Sequence, residues 1–204
     1  MDIEIKICGI RTPEALAAAE AAGADWVGFV FFPRSPRAVT PAEAARLPQG
    51  RAGRVGLFVN PDEAEIAAAL AAVRLDALQI YADAAQAAAI AARFGVPVWH
   101  AVGVASRADL PAAPGAGARW VIEAKPPRDA TRPGGNALAL DWSMLAGWRP
   151  GRPWMLAGGL TPGNVAEAVR LSGATAVDVS SGVESAPGVK DPVLIRDFVV
   201  AARR

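Results

Sequence analysis

The sequence contains very little of two residue types that often carry catalysis or bind metals. Its 204 residues include one cysteine, Cys8, and one histidine, His100. A single cysteine excludes a disulfide framework and a multi-cysteine metal site. The formal net charge is only +1, so the chain has no strong field to attract nucleic acid or an anionic membrane. We therefore expect neither of these as a partner.

Long hydrophobic runs and targeting signals are also missing. The longest apolar stretch, residues 26–32, is far shorter than the about 20 residues that span a bilayer. The first residues, Met1-Asp2-Ile3-Glu4, lack the basic and then apolar layout of a signal peptide. The chain is 52% hydrophobic and 20% charged, which is ordinary for a globular protein. We expect a cytoplasmic protein whose residues 1–204 form one domain.

Short β-rich runs alternate with helical patterns along the whole chain. These runs are nearly continuous in apolar residues, which is typical of parallel strands covered on both faces. The predicted strands are residues 3–8, 26–31, 54–59, 77–81, 96–102, 119–124, 154–157 and 176–180. Eight strands with helices between them predict a (β/α)8 TIM barrel near its minimum size. A doubly wound open sheet is the alternative, but it usually has about five or six strands.

The connections between the strands differ in their helical signals. Four of them place a capping side chain before a proline at the first helical position, at Thr12-Pro13, Thr40-Pro41, Asn60-Pro61 and Thr161-Pro162. The fifth and sixth connections, residues 106–118 and 126–140, are rich in Pro, Gly and Ala instead. We expect their helices to be short or replaced by loops.

In a barrel of this kind, active residues lie at the carboxyl ends of the strands and in the loops that follow. Gly158-Gly159 follows the predicted seventh strand, and Ser180-Ser181-Gly182 follows the eighth. Adjacent loops of this composition can present backbone N–H groups to a phosphate. The alternative is that the glycines only form a tight strand-to-helix turn. We favour a phosphate site.

Three further side chains are candidates at the same edge. Cys8 ends the first predicted strand, where a thiolate could act as a base, although a free cysteine is often simply buried. Arg37 lies in a proline-stiffened loop and suits a substrate carboxylate, with a solvated surface arginine as the alternative. Glu123 ends an apolar strand, so its pKa is expected to rise. Cys8 and Glu123 are therefore a candidate base and acid.

Other features indicate no cofactor and no metal. His100 lies among apolar strand residues and is interpreted as structural. The six tryptophans are scattered along the sequence and are interpreted as packing residues. The sequence has no Walker loop, no strand-linked GxGxxG, no HExxH and no GxSxG motif.

Several sequence blocks occur in an order that is specific when they are taken together. They include Lys6-Ile7-Cys8-Gly9-Ile10, Ser35-Pro36-Arg37, Leu78-Gln79, Leu156-Ala157-Gly158-Gly159, Val177-Asp178-Val179-Ser180-Ser181-Gly182-Val183-Glu184 and Pro187-Gly188-Val189-Lys190-Asp191. Over essentially the whole chain, these blocks resemble the phosphoribosylanthranilate isomerase family of tryptophan biosynthesis.

The resemblance implies an Amadori rearrangement of N-(5-phosphoribosyl)anthranilate without a cofactor. It makes Cys8 the general base and Glu123 the acid, and it directs Arg37 to the anthranilate carboxylate. Gln79 and Asp178 would contact the substrate. Gly158, Gly159, Ser180, Ser181 and Gly182 would hold its phosphate. The partners implied are a small phosphosugar substrate and, in a homodimer, a second copy of the chain; a monomer is equally compatible.

The sequence departs from the family's usual pattern at three places. The family usually has Asp where this chain has Glu123, and His-Gly where it has Tyr81-Ala82. Ala137 stands where the family usually has a further glycine. An impaired barrel that only binds a phosphosugar is therefore an alternative.

Two other phosphosugar barrel enzymes are rival interpretations, an indole-glycerol-phosphate synthase and a metal-dependent epimerase. The synthase would need a catalytic lysine after an early strand, and the epimerase would need more than one histidine.

Overall fold

Eight parallel strands close into a barrel, in which each strand pairs with its neighbours in chain order and the eighth pairs with the first. The structure, a computed structural model, describes residues 3–111, 117–125 and 140–204. The strands are β1 Glu4–Cys8, β2 Trp26–Val30, β3 Gly53–Val59, β4 Ala77–Tyr81, β5 Val98–Val104, β6 Arg119–Ala124, β7 Trp154–Leu156 and β8 Ala176–Val179. The predicted (β/α)8 barrel is therefore confirmed.

Helices cover the outside of the barrel and bury the apolar outer faces of the strands. They are α1 Pro13–Ala22, α2 Pro41–Ala45, α3 Glu63–Ala72, α4 Ala84–Phe94, α5 Val165–Ser172 and α6 Pro192–Ala202. A two-stranded hairpin of β9 Glu184–Ala186 and β10 Val189–Lys190 lies between β8 and α6. No helix of the described ranges is long and apolar enough to cross a membrane.

The fifth and sixth connections are described only in part. Their described parts carry only short 3-10 helices, at Arg107–Asp109 and at Trp142–Leu145. Residues 112–116 and 126–139, including Ala137, lie outside the described residues.

Two of the four predicted helix starts are confirmed and two are wrong. Thr12 and Thr40 cap α1 and α2 through their side chains, with a proline following each. Asn60 does not cap α3, because it adopts a left-handed φ of 43° at the end of β3. Asp62 caps α3 instead and accepts a hydrogen bond from the Glu65 N–H.

The fourth predicted helix start is also displaced along the chain. Thr161 does not cap α5, which begins at Val165 with Asn164 as its cap residue. The Asn164 side chain folds back, accepting from the Thr161 N–H at 2.7 Å and donating to the Gly159 carbonyl at 2.9 Å. The side-chain hydrogen bonds therefore hold a longer loop after β7 and delay the helix.

Charged and aromatic side chains close the amino-terminal end of the barrel. Arg119 forms a two-pronged ion pair with Glu4, at 2.9 and 2.7 Å, and its guanidinium lies 4.6 Å from the centre of the Trp99 ring. Trp26 contacts Trp99 edge to face and donates its indole N–H to Glu4. Tryptophans that are distant in sequence thus pack together in the fold, at the end opposite to the expected chemistry.

Candidate active site

A cavity opens at the carboxyl ends of the barrel strands. Most of the predicted site residues line it, namely Cys8, Arg37, Glu123, Gly158, Gly159, Asp178, Ser180 and Ser181. Gln79 and Gly182 are not among the lining residues. The barrel thus brings together, at one edge, side chains that are far apart in the chain; the Ser180 hydroxyl, for example, donates to the Cys8 carbonyl across 172 positions.

Cys8 lies at the end of β1 with its thiol against β2. Its partner across the strand pair is Gly28, where an added Cβ would lie 2.8 Å from the Cys8 Sγ. A glycine is therefore needed at position 28 for the thiol to take this position. Burial raises the pKa of Cys8, and the neighbouring Lys6 ammonium opposes that rise. The thiolate accordingly depends on nearby positive charge.

A buried ion pair lies beneath the thiol inside the barrel. Lys6 is fully buried, and its Nζ is 2.9 Å from Oδ1 of Asp178 on β8. Burial alone would lower the pKa of Lys6, but the negative charges of Asp178 and Cys8 raise it above the usual value. Lys6 is therefore a permanent cation buried beneath the site.

Glu123 supplies a carboxyl group across the cavity from Cys8. Only 4% of the residue is exposed. Burial raises the pKa of Glu123 to about 8 and Asp178 also raises it, while a hydrogen bond from Tyr81 and the charge of Lys6 work in the opposite direction. Glu123 is consequently protonated at neutral pH and can donate a proton.

Gln79 and Tyr81 project from β4 into the barrel at successive levels. Gln79 is fully buried, and its Nε2 donates to the Tyr81 hydroxyl at 3.2 Å. Tyr81, in contrast, lines the cavity. Burial raises the pKa of Tyr81 well above its usual value, and the negative charge of Glu123 adds to this effect. The phenol is therefore neutral and keeps its proton.

Arg37 is held in place by a glutamate that sequence reasoning did not single out. The Arg37 Nε and Nη2 donate to the two carboxylate oxygens of Glu184, at 2.7 and 2.8 Å. Lys190 also donates to Glu184 at 2.7 Å and to the Ser180 carbonyl at 3.0 Å. Glu184 and Lys190 occur in the sequence blocks quoted above. Arg37 and Glu184 are 147 positions apart, however, and no sequence pattern indicates that they pair.

The β9–β10 hairpin packs closely on the loop that carries Arg37. Gly188, at the turn, has a φ of +81°, and a Cβ there would overlap the Pro36 carbonyl oxygen. A Cβ on Gly9 would lie 2.8 Å from the Arg37 Cδ. Two glycines thus allow the loops after β1, β2 and β8 to close around Arg37, whose side chain is only 5% exposed.

The two glycine-bearing loops meet at the other side of the cavity. Gly158 and Gly159 both have positive φ, 83° and 65°. Within the described ranges, neither of their N–H groups donates to a backbone carbonyl. A Cβ on Gly182 would overlap the Leu160 carbonyl oxygen. Gly182 therefore allows the close approach of the two loops, whereas Gly158 and Gly159 have N–H groups available to an anion.

His100 stays outside this constellation, in agreement with a structural role. Its Nε2 is 2.9 Å from the Ala82 carbonyl, and its ring packs on Trp120. No group of three or more potential metal-binding side chains occurs in the described part of the chain.

Comparison with known proteins identifies the family. The family model described as N-(5'phosphoribosyl)anthranilate (PRA) isomerase matches residues 5–201. The chain belongs to the N-(5'-phosphoribosyl)anthranilate isomerase family. A curated isomerase of this name from Acidiphilium cryptum (strain JF-5) is 63% identical over 97% of this chain and 97% of its own length.

Solved structures of isomerases share the barrel. One, described as monomers generated from the dimeric isomerase of Thermotoga maritima, is 33% identical with a TM-score of 0.80 and 98% coverage of both chains. Another, 32% identical with the same TM-score and coverage, is an isomerase in complex with reduced 1-(o-carboxyphenylamino)-1-deoxyribulose 5-phosphate. That compound carries a carboxylate and a phosphate.

The charge of the site in this isomerase family member suits such an anion. Three basic side chains, Lys6, Arg37 and Lys190, form ion pairs with two carboxylates, Asp178 and Glu184. Glu123 adds no charge because its pKa is about 8. Arg37, which lines the cavity, places one of these cations within reach of an anionic ligand.

Proposed function

We propose that Cys8 and Glu123 are the general base and general acid of the Amadori rearrangement, the reaction of this isomerase family. The observation that carries the proposal is that one cavity contains a thiol beside a lysine and a buried, protonated carboxyl group. The reaction converts N-(5-phosphoribosyl)anthranilate into 1-(2-carboxyphenylamino)-1-deoxyribulose 5-phosphate. It requires one proton donor and one proton acceptor at the sugar.

In the proposed mechanism, the Glu123 carboxyl gives its proton to the ring oxygen as the bond between C1 and that oxygen breaks. The anthranilate nitrogen supplies the electron pair and forms an iminium bond to C1. The Cys8 thiolate then takes the proton from C2, and the electrons of that C–H bond form an enolamine. Tautomerisation places a proton on C1 and leaves a ketone at C2, so the reaction is an isomerisation with no net redox change.

Arg37 is proposed to bind the anthranilate carboxylate. In the described structure its guanidinium is paired through Nε and Nη2 with Glu184. Nη1 is the edge that remains for a ligand, and the pairing with Glu184 restricts its orientation. A guanidinium fixed in this way binds a carboxylate with little loss of side-chain entropy.

The phosphate is proposed to lie between the Gly158-Gly159 turn and the Ser180-Ser181 loop. The support is the pair of N–H groups described above and the exposure of both loops to the cavity. Gly182 remains a predicted phosphate ligand, and its close packing on Leu160 supports at least a shaping role. Asp178 lines the cavity beside Lys6 and is proposed to contact the sugar.

We further infer that the barrel of residues 1–204 is a single domain that works as a monomer or homodimer. The isomerase from Thermotoga maritima is described as dimeric. Sedimentation equilibrium of the purified chain measures its oligomeric state.

We also propose a cytoplasmic location, because the proposed substrate is a phosphorylated sugar, which does not cross membranes unaided.

The test is conversion of freshly prepared N-(5-phosphoribosyl)anthranilate by the purified protein. The loss of the substrate's fluorescence monitors this conversion. We expect turnover by the unaltered chain, and a loss of about 10³-fold or more in Cys8→Ala with unchanged thermal unfolding. Normal turnover in Cys8→Ala would refute the role of the thiol. Binding of the product analogue without any turnover by the unaltered chain would instead favour an impaired, phosphosugar-binding barrel.

A further inference from the structure

Gln79, which the family resemblance assigns to the substrate, contacts the side chain above it on β4. The two inward-facing residues at the end of β4 are Gln79 and Tyr81, and only Tyr81 lines the cavity. The Gln79 Nε2 donates to the Tyr81 hydroxyl at 3.2 Å. Because the amide fills an acceptor position of the phenol oxygen, the phenol proton is available for a second partner.

The fold leaves room for Tyr81 to reach across to β6. The strand between them, β5, places Ala101 beside Val121 and Gly103 beside Glu123. Alternation of side chains along the strands turns Ala101, Gly103, Val121 and Glu123 toward the barrel interior. Two small residues on β5 therefore separate a large ring on β4 from a carboxyl group on β6.

Tyr81 and Glu123 line the same cavity, and the Tyr81 hydroxyl is near enough to affect the pKa of Glu123. The two residues lie on different strands, β4 and β6. The glutamate side chain has three rotatable bonds, so a contact with its carboxyl group is needed to hold that group in one orientation.

We propose that Tyr81 is a positioning residue for Glu123: its phenol, held by Gln79, donates to the carboxyl group and directs that group toward the bound sugar. This inference rests on the proposed role of Glu123 as the acid. Gln79 then acts through Tyr81 and contributes to turnover without touching the substrate.

The other charged groups that face Glu123 come from different strands. Among the described residues they are Asp178 on β8 and Lys6 on β1, and Cys8 lies near Tyr81. Asp178 and Lys6 have opposite charges and are paired with each other. Loss of the Tyr81 hydroxyl therefore removes no charged group from the surroundings of Glu123.

The central experiment is Tyr81→Phe, which removes one oxygen and keeps the ring. We expect kcat to fall by about 10-fold or more with a smaller change in KM, since a hydrogen bond to an ionisable group is lost. Infrared spectroscopy follows the protonated carboxyl band of Glu123, assigned by its absence in Glu123→Gln. Its titration midpoint, about 8 in the unaltered chain, should move to higher pH by about one unit.

Two further variants separate positioning from packing. Phe32→Leu alters another aromatic residue that lines the cavity but has no polar atom, and it should leave the infrared midpoint unchanged. In a Glu123→Asp background the shorter carboxyl group no longer reaches the phenol, so adding Tyr81→Phe should change kcat by less than about 3-fold. Thermal unfolding of each variant establishes that it is folded.

Each outcome bears on one hypothesis. If Tyr81→Phe is folded but keeps both kcat and the midpoint, the phenol does not donate to Glu123 and the inference is overturned, while the proposed function stands. If the unaltered chain fails to convert the substrate, the proposed function fails. The infrared midpoint still measures the contact between Tyr81 and Glu123 in that case. An equal effect of Tyr81→Phe in the unaltered chain and in the Glu123→Asp background also overturns the inference.

Discussion

Replacing Glu123 by glutamine should abolish turnover and, at the same time, stabilise the protein at neutral pH. The carboxyl group has a pKa of about 8 in the folded chain, raised by burial from the ordinary value of 4.5. In the unfolded chain it is solvated and ionises near the ordinary value. Between these two values the folded state holds a proton that the unfolded state has released, so rising pH favours unfolding.

The magnitude follows from the two pKa values. At pH 7 the unfolded state gains about 3 kcal/mol from ionisation that the folded state does not gain. Glutamine keeps the size and hydrogen-bonding capacity of the protonated acid and has no proton to release. We therefore expect Glu123→Gln to raise the free energy of unfolding by about 3 kcal/mol at pH 7, and the melting temperature by about 6–12 °C.

Urea unfolding of both proteins, monitored by tryptophan fluorescence at several pH values, checks this expectation. The difference in free energy of unfolding should be close to zero at pH 4.5 or below, grow by about 1.4 kcal/mol per pH unit, and level off above about pH 8. Glu14→Gln is a matched control, because Glu14 is an exposed glutamate in the first turn of α1. The free energy of unfolding of Glu14→Gln should stay within about 1 kcal/mol of that of the unaltered chain at every pH.

A difference between Glu123→Gln and the unaltered chain that does not depend on pH would refute the reasoning. It would mean that the Glu123 carboxyl is solvated and ionised in the folded protein. Such a group could not serve as an acid at neutral pH.

Three other substitutions test separate parts of the molecule. Glu184→Gln leaves the Arg37 guanidinium without its carboxylate partner, so the KM for the carboxylate-bearing substrate should change by about 10-fold. Steady-state kinetics with and without added salt measure this; an unchanged KM would mean that Glu184 does not position Arg37. Gly182→Ala brings a methyl group into the loop after β7, and should cost about 2–3 kcal/mol of stability and weaken inhibition by inorganic phosphate. Arg119→Met breaks the ion pair with Glu4 at the amino-terminal end of the barrel. It should lower the melting temperature while kcat/KM stays within about 2-fold, because that end carries stability rather than chemistry. A large loss of kcat/KM in the folded variant would contradict this division.

Helix caps show how far local patterns can be trusted. A Thr-Pro pair correctly predicts α1 and α2, because a cap followed by proline is a local arrangement that the adjacent backbone can satisfy. The same pattern fails at Asn60 and Thr161. In both places the cap residue lies a few positions further along. Asp62 caps α3 through its side chain, whereas the Asn164 side chain bonds back to the loop before α5.

The sequence by itself determined the eight strands, the barrel, the family and most of the cavity lining. Strands that are apolar throughout can be stable only in a parallel sheet covered on both sides, and the chain order of such strands determines which loops share an edge. Cys8, Arg37, Glu123 and the glycines therefore meet because of where they stand relative to strand ends.

Only the tertiary structure decided which of these side chains touch. The pairing of Arg37 with Glu184, the burial of Gln79 and the meeting of Tyr81 with Glu123 all depend on strand register and on the closure of the barrel. The pKa of about 8 for Glu123 likewise results from burial among particular neighbours. Distances across a closed barrel are fixed by packing between residues far apart in the chain, and no local pattern in the sequence contains them.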